Sequence, residues 1–297
     1  MLAIVAAGIL TYPQIDPILV EFGPIAIRWY SLSYITGIIF AWWYIRRQAA
    51  KPRAAMSATH IDDFITWAVF GVILGGRIGY VLFYNFSGYM QEPLAILRVW
   101  DGGMSFHGGF AGVVLAVILY CRKYRLDLMR VSDLVATVSP IGLLVGRLAN
   151  FINGELWGRP TDVSWAMVFP ADPTGLPRHP SQLYEALGEG LILFIILQYL
   201  YHKTRIAKDM PGVLAGIFIG GYGLARILVE FVREPDAHLG LMAGVSRGQL
   251  LSIPMFLLAA WLISKGLRHK ASLRAKGKKA EASHKKHPSS KKRAAKK

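Results

Sequence analysis

Cysteine is nearly missing. Cys121 is the one thiol in 297 residues, which excludes a disulfide framework and any metal centre built on several thiolates. Acids are scarce as well, 18 against 34 lysines and arginines. No carboxylate cluster of the kind that holds Mg²⁺ is apparent, so the chemistry is expected to need neither metal nor cofactor. The chain has no G-x-x-x-x-G-K-[ST] loop, no G-x-S-x-G elbow and no H-E-x-x-H helix, so the activities those motifs carry have no support. A leader is not apparent either. MLAIVAAGIL is apolar but too short to span a bilayer, has no basic flank, and is soon followed by Pro13 and Pro17. It is expected to be an interfacial segment.

What the chain has is apolar length. Hydrophobic residues make up 54% and charged ones only 18%, with a mean hydropathy of +0.38, too high for an ordinary soluble domain of this size. Seven runs approach the roughly 20 helical residues needed to cross ~30 Å of hydrocarbon. They lie near residues 26–45, 61–85, 106–121, 132–152, 183–201, 212–232 and 248–264. The predicted fold is an all-α integral membrane protein, a bundle of seven transmembrane helices. Residues 1–25 form an extracytoplasmic or interfacial segment, 26–265 the membrane body with an outer loop region at about 153–182, and 266–297 a tail.

Loop charge sets the orientation. Arg46, Arg47, Lys51 and Arg53 crowd one loop, Arg122, Lys123, Arg125 and Arg130 another, and Lys203, Arg205 and Lys208 a third. The alternate loops hold at most two basic residues each. The N-terminus is therefore predicted outside and the C-terminus in the cytoplasm. The tail from 265 onward holds 14 of the 34 basic residues and one of the 18 acids, leaving the body near neutral at 20 against 17. Such a Lys/Ala/Ser-rich run is expected to be disordered and to rest on anionic headgroups. It lacks the aromatic interleaving of a nucleic-acid binder, and no nucleic acid is expected as a partner.

Glycines four apart, at 71, 75 and 79, at 108 and 112, at 142 and 146, and at 212, 216 and 220, predict close helix approach. Asp62 and Asp63 read as first-turn acids with Thr59 as a cap.

The intramembrane charges carry more information. On this topology Tyr30, Arg77, His107, Arg147 with Asn150, and Tyr222 with Arg226 and Glu230 come from five helices to one depth near the outer face. Glu155 follows just beyond. A charge there costs at least ~2.5 kcal/mol unless paired or near water. Three arginines in one layer, with few acids in view, point to an anion. A lipid phosphate is the anion found at that depth, and the planar guanidinium fork suits it.

Six ordered stretches then carry a resemblance: YPQIDPILVEFGPIAIRWYSLSYITG, GGRIGYVLFYN, WDGGMSFHGGFAG, GRLANFINGELWGRPT, RHPSQLYEA and GGYGLARILVEFVREPD. Together they resemble the bacterial prolipoprotein diacylglyceryl transferases. The resemblance spans nearly the whole membrane body and excludes the tail after about residue 268. It implies an inner-membrane transferase that moves the diacylglyceryl group of phosphatidylglycerol onto the lipobox cysteine of a prolipoprotein, releasing glycerol phosphate. It implies functional positions at Tyr30, His107, Arg147, Asn150, Glu155, Gly158, Tyr222, Arg226 and Glu230.

The chemistry assigns expected roles. Arg147 and Arg226 hold the phosphate, and Asn150 and Tyr30 hydrogen-bond the headgroup, while Gly158 and Tyr222, as the resemblance implies, and Arg77 complete the expected phosphatidylglycerol site. His107 takes the thiol proton, and Glu155 and Glu230 hold the arginines. The rival readings are a transporter or flippase for an anionic lipid, which should carry charge along its whole path, and a metal-dependent phospholipid synthase, which should carry carboxylates.

Overall fold

The computed structural model describes residues 10–23, 25–50, 54–234 and 247–286. Lys51 and Arg53 of the first basic loop, most of the N-terminal apolar run and the last stretch of the tail lie outside them. Among the described residues seven long helices form the body: α1 (Trp29–Ala49), α2 (Ala58–Phe83), α3 (Phe106–Tyr124), α4 (Leu128–Ile152), α5 (Ser181–Lys203), α6 (Val213–Glu230) and α7 (Arg247–Lys286). Six of them, α2 to α7, include stretches long and apolar enough to cross a membrane. The seven-span expectation is met only to that extent. α1 has 21 residues, enough in length, but its tyrosines, tryptophans and serines dilute its hydropathy.

The first pair of helices shows the packing logic. On α2 the glycines face α3, and a Cβ at Gly112 would stand 2.0 Å from the Gly71 carbonyl oxygen, one at Gly75 2.3 Å from that of Gly108. Backbone therefore lies on backbone. The outward stripe of α2 is Phe70, Leu74, Ile78 and Leu82, all exposed. Small residues inside and large apolar ones outside invert the pattern of a soluble helix, as a lipid solvent demands. Gly216 and Gly266 repeat the device between α6 and α7, and Gly190 packs onto Leu144 between α5 and α4. Gly146 differs from the expectation, whereas Gly142 meets it toward α1, its Cα 3.2 Å from where a Cβ on Gly37 would stand. A side chain on either would meet nothing within 4 Å, so they border open space.

Helix ends follow their caps. Ser57, not Thr59, caps α2 by accepting from His60 N at 3.2 Å, and Asp62 and Asp63 instead reach Arg46 and Tyr124. Ser105 caps α3 and Asp127 caps α4. α4 is interrupted at Thr137 and Val138, because Pro140 has no N–H for the Ala136 carbonyl. Asp133 of α4 caps a second helix, accepting from Gly212 N at 2.8 Å and Ala215 N at 2.9 Å at the start of α6. α5 widens into a π-helical segment over Ala186–Ile192. α7 remains helical to Lys286. The expected disorder of 266–297 is thus not what residues 266–286 show. Ala, Lys, Leu and Arg are strong helix formers and here extend a helix already nucleated.

Two antiparallel ribbons complete the Arg147 end: β1 (Ile18–Phe22) with β2 (Ile25–Arg28), and β3 (Met167–Val168) with β4 (Pro177–Arg178). Tyr12 packs there against Phe151 and Phe169. A larger apolar cluster, including Ile61, Phe64, Tyr120, Val131 and Leu134, closes the opposite end.

Candidate functional site

Arg147 sits five residues from the end of α4, and its guanidinium turns toward α5. Its Nη1 lies 3.2 Å from Glu185 Oε2, and its Nε and Nη2 lie 3.3 and 3.2 Å from Glu189 Oε2. Arg226 of α6 donates from Nη1 to Glu185 Oε1 at 2.5 Å and lies 3.3 Å from Glu230, four residues on. Arg233, just past α6, donates to the same Glu185 Oε1 at 3.0 Å. Glu185 and Glu189 are fully buried, while the side chains of Arg147 and Arg226 keep 16% and 18% of their surface exposed. One carboxylate thus gathers three guanidiniums from three parts of the chain.

This corrects the expectation of arginines with few acids in view. Glu185 and Glu189 were missed as site residues because they lie inside a run read only as a span. Their signal was legible: two acids four apart on one face of an otherwise apolar helix. The π segment beginning at Ala186 carries Glu189, and such segments gather at functional sites. Among the described residues Glu189 Oε1 lacks a hydrogen-bond partner, while Glu185 Oε2 and Glu230 Oε2 meet arginine nitrogens only at the 3.2 and 3.3 Å of their ion pairs. Buried polar atoms of that kind mark a site built for more than its own contacts.

The turn after α4 is held from α5. Gly154 and Leu156 adopt left-handed φ of 64° and 59°, a conformation costing a residue with a side chain roughly 1–2 kcal/mol. Gln182 Nε2 donates to the Glu155 carbonyl at 2.6 Å, and Ser181 Oγ to that of Leu156 at 2.9 Å. Glu155 thereby folds back over the helix end and accepts from Asn150 at 2.8 Å and Asn153 at 3.2 Å. Among the described residues no hydrogen bond or ion pair joins it to an arginine, so its expected role of holding one is not found. Glu230 does hold Arg226.

Gly158 occupies a crossing. Its N–H donates to the His179 carbonyl at 2.8 Å, and it bridges to Arg233. A Cβ would fall 2.5 Å from the Val232 oxygen and 2.7 Å from His179 Cβ. Only glycine allows the approach that sets Arg233 beside Glu185. Nearby, Arg178 clasps Asp172 from Nε at 2.5 Å and Glu234 at 2.9 Å. That clasp holds the Asp172 carboxyl down at about 2, chiefly through the Arg178 hydrogen bond.

Arg77 is brought elsewhere. It is buried and donates to five backbone carbonyls, those of Ala95, Ile96, Arg98, Gly102 and Gly103. Every side of its fork is spent on the segment before α3, so it is a peg for that loop and not a phosphate ligand in this arrangement. Sequence depth could not show this, because depth says nothing about azimuth. Gly102 and Gly103, at φ 83° and 75°, give the loop its bend, which delivers Ser105 and His107 to the start of α3. His107 is exposed. No hydrogen bond or ion pair joins it to the arginines among the described residues. Tyr30 is also exposed, its hydroxyl 3.2 Å from that of Tyr34. Tyr222 is half-buried one turn before Arg226. Among the described residues no group of three His, Cys, Asp or Glu forms a metal site.

The geometry offers anchored guanidinium donors at a partly open, otherwise buried position, suited to an anionic oxygen. A family model described as prolipoprotein diacylglyceryl transferase matches residues 17–265. The phosphatidylglycerol–prolipoprotein diacylglyceryl transferase of Azospirillum brasilense is 54% identical over 266 residues, covering 89% of this chain and 99% of its own. That of Rhodospirillum rubrum is 56% identical over 251 residues, covering 84% and 91%. That of Paramagnetospirillum magneticum is 53% identical over 265 residues, covering 87% and 98%.

Proposed function

Because the chain belongs to the prolipoprotein diacylglyceryl transferase family, we propose that it transfers the diacylglyceryl group of phosphatidylglycerol to the lipobox cysteine of prolipoproteins, with the arginine cluster as its phosphate site. A new C–S bond forms at the glycerol carbon, the C–O bond to phosphate breaks, and glycerol phosphate leaves with the electron pair. The single observation that supports this most is Glu185, one fully buried carboxylate set among Arg147, Arg226 and Arg233.

In this reading Arg147 and Arg226 bind the phosphate and stabilise the charge that grows on its oxygen as the bond breaks. Glu185, Glu189 and Glu230 orient the guanidiniums. Burial also strengthens each charge interaction at the reacting centre. The thiol, with an ordinary pKa near 8.5, must ionise to attack. His107 is assigned as its proton acceptor, the headgroup and thiol bridging the space between it and the arginines. Asn150 donates to Glu155 and steadies the end of α4, while Tyr30 and Tyr222 are assigned to the headgroup. Gly158 serves by placing Arg233. Gly142 and Gly146 line open space on the helix that carries Arg147, which suits sideways entry of a lipid.

We place α1 as the seventh span, since 21 helical residues reach about 31 Å. The bundle sits in the bacterial inner membrane with the site toward the extracytoplasmic face, following the lysine and arginine bias of the loops. The test is purified protein with phosphatidylglycerol and a lipobox peptide, read by mass spectrometry. Thioether product is expected, and none from Arg226→Ala that remains folded. No product from folded wild-type protein would sink the reading.

A further inference from the structure

The end of the bundle away from Arg147 carries a second cationic constellation that the transfer reaction does not use. α7 is locked at Gly266 to the first residue of α6 and the segment before it. A Cβ there would stand 2.4 Å from Val213 Cγ2 and 3.2 Å from the carbonyl oxygens of Met210 and Pro211. That contact fixes the face α7 presents. Four, seven and eight residues on, Lys270, Leu273 and Arg274 share it. With Arg205 and Asp209 they line an open cleft of about 430 Å³.

The facing wall is held rigidly. Arg130 Nη2 donates to the Lys208 carbonyl at 3.2 Å, Thr204 Oγ1 accepts from Ile206 N, and Asp133 pins Gly212. Asp209 engages Arg205 at Nε, 2.9 Å away, and among the described residues the two terminal nitrogens of Arg205 make no hydrogen bond or ion pair. Lys270 and Arg274 have no hydrogen bond or ion pair among the described residues. Three cations against one carboxylate, over a leucine floor, form a receptor for an anion with an apolar attachment.

Depth identifies the anion. Lys265 Nζ stands 4.9 Å over the Trp261 ring, and Arg46, Arg47 and Lys123 stand 5.6, 4.1 and 5.1 Å over Trp42, Trp43 and Trp67. Tryptophans with cations beside them mark a membrane–water boundary. Lys270 and Arg274 follow Lys265 by five and nine residues, about 7.5 and 13.5 Å along the helix. The headgroup layer beyond the hydrocarbon is roughly 5–8 Å thick, so Lys270 lies within it and the long Arg274 side chain reaches back to it.

We propose that this cleft binds the phosphate of an anionic glycerophospholipid in the leaflet opposite the active site, clamping the basic extension of α7 to the membrane. The test is hydrogen–deuterium exchange over residues 203–212 and 266–276 in nanodiscs of phosphatidylglycerol and of phosphatidylcholine. Wild-type protein should exchange more slowly in the anionic lipid only, by roughly fivefold for each cation engaged. Arg205→Ala/Lys270→Ala/Arg274→Ala should erase the difference while keeping wild-type thermal stability in phosphatidylcholine and wild-type transfer activity, which separates this site from the transfer site. Equal protection in both lipids, protection that survives in the triple variant, or equal protection by millimolar inorganic phosphate in phosphatidylcholine would overturn the proposal.

Discussion

Removing Arg147 should cost stability as well as activity, and the two losses can be separated. In Arg147→Ala, Glu185 keeps Arg226 and Arg233, but Glu189 loses the one ion pair it has among the described residues while remaining fully buried. Breaking a buried pair from one side costs about 3–5 kcal/mol. The surviving partners of Glu185 place the expected value near the lower end, about 3 kcal/mol. For a chain somewhat above 250 residues that is a fall in Tm of roughly 6–12 °C. Arg147→Ala/Glu189→Gln removes the stranded charge and should recover more than half of that fall, yet should remain inactive, because the phosphate ligand is still missing. The assay is thermal unfolding of purified protein beside thioether formation on the same samples. A single variant within about 2 °C of wild type, a figure set by the same scaling, would refute the coupled buried network. Activity returning in the double variant would refute phosphate binding by Arg147.

Four further outcomes are expected. His107→Gln should lower kcat by about 10²–10⁴-fold, the range for a positioned acid–base group, without moving Tm, since His107 is exposed; an unchanged rate would remove it as proton acceptor. The Asp172–Arg178 clasp should add stability that is complete above the ordinary carboxylate range and is lost as pH falls through about 2, because the folded value is the depressed one. Proteolysis of the 159–178 loop should therefore rise with acid in wild type and be nearly pH-independent in Asp172→Asn. Gly112→Val should abolish folded protein or cost 1–3 kcal/mol or more of overpacking, about what forced core expansion costs, as judged by size exclusion and Tm. Glu189→Gln should tighten product inhibition by glycerol phosphate, and unchanged inhibition would leave that carboxylate a folding role only.

Much of the fold was legible because a bilayer imposes a length and an apolar requirement that composition reports directly. The spans from α2 to α7 follow from that. α1 is harder, because Trp and Tyr score as polar on a hydropathy scale although their rings suit an interface. The break in α4 was foreshadowed by Pro140, yet the run still read as one span. Arg147, Arg226 and Glu230 were legible as costly intramembrane charges. Arg77 was legible as costly but not as to its partner, since backbone carbonyls leave no mark in a sequence. Glu185 and Glu189 lie in a run whose apolar length reads only as a span. Arg233 was counted only as loop charge, because its burial depends on the close approach at Gly158.

The charge count of the site bears on turnover. Arg147, Arg226 and Arg233 meet Glu185, Glu189 and Glu230, three positive charges against three negative ones. The phosphodiester that enters carries one negative charge, and the monoester that leaves carries up to two. Arginines alone would hold the product more tightly than the substrate, and release would then limit the rate. Carboxylates placed behind the guanidiniums keep the resting field near neutral, so ground-state attraction stays moderate. In the proposed phosphate site the guanidinium hydrogen bonds are aimed at the oxygen on which charge appears, and stabilisation grows during bond breaking, which is the part of binding that accelerates a reaction. In a membrane site the same carboxylates also offset part of the cost of burying three cations. Folding and turnover therefore ask for the same acids on the same helix face.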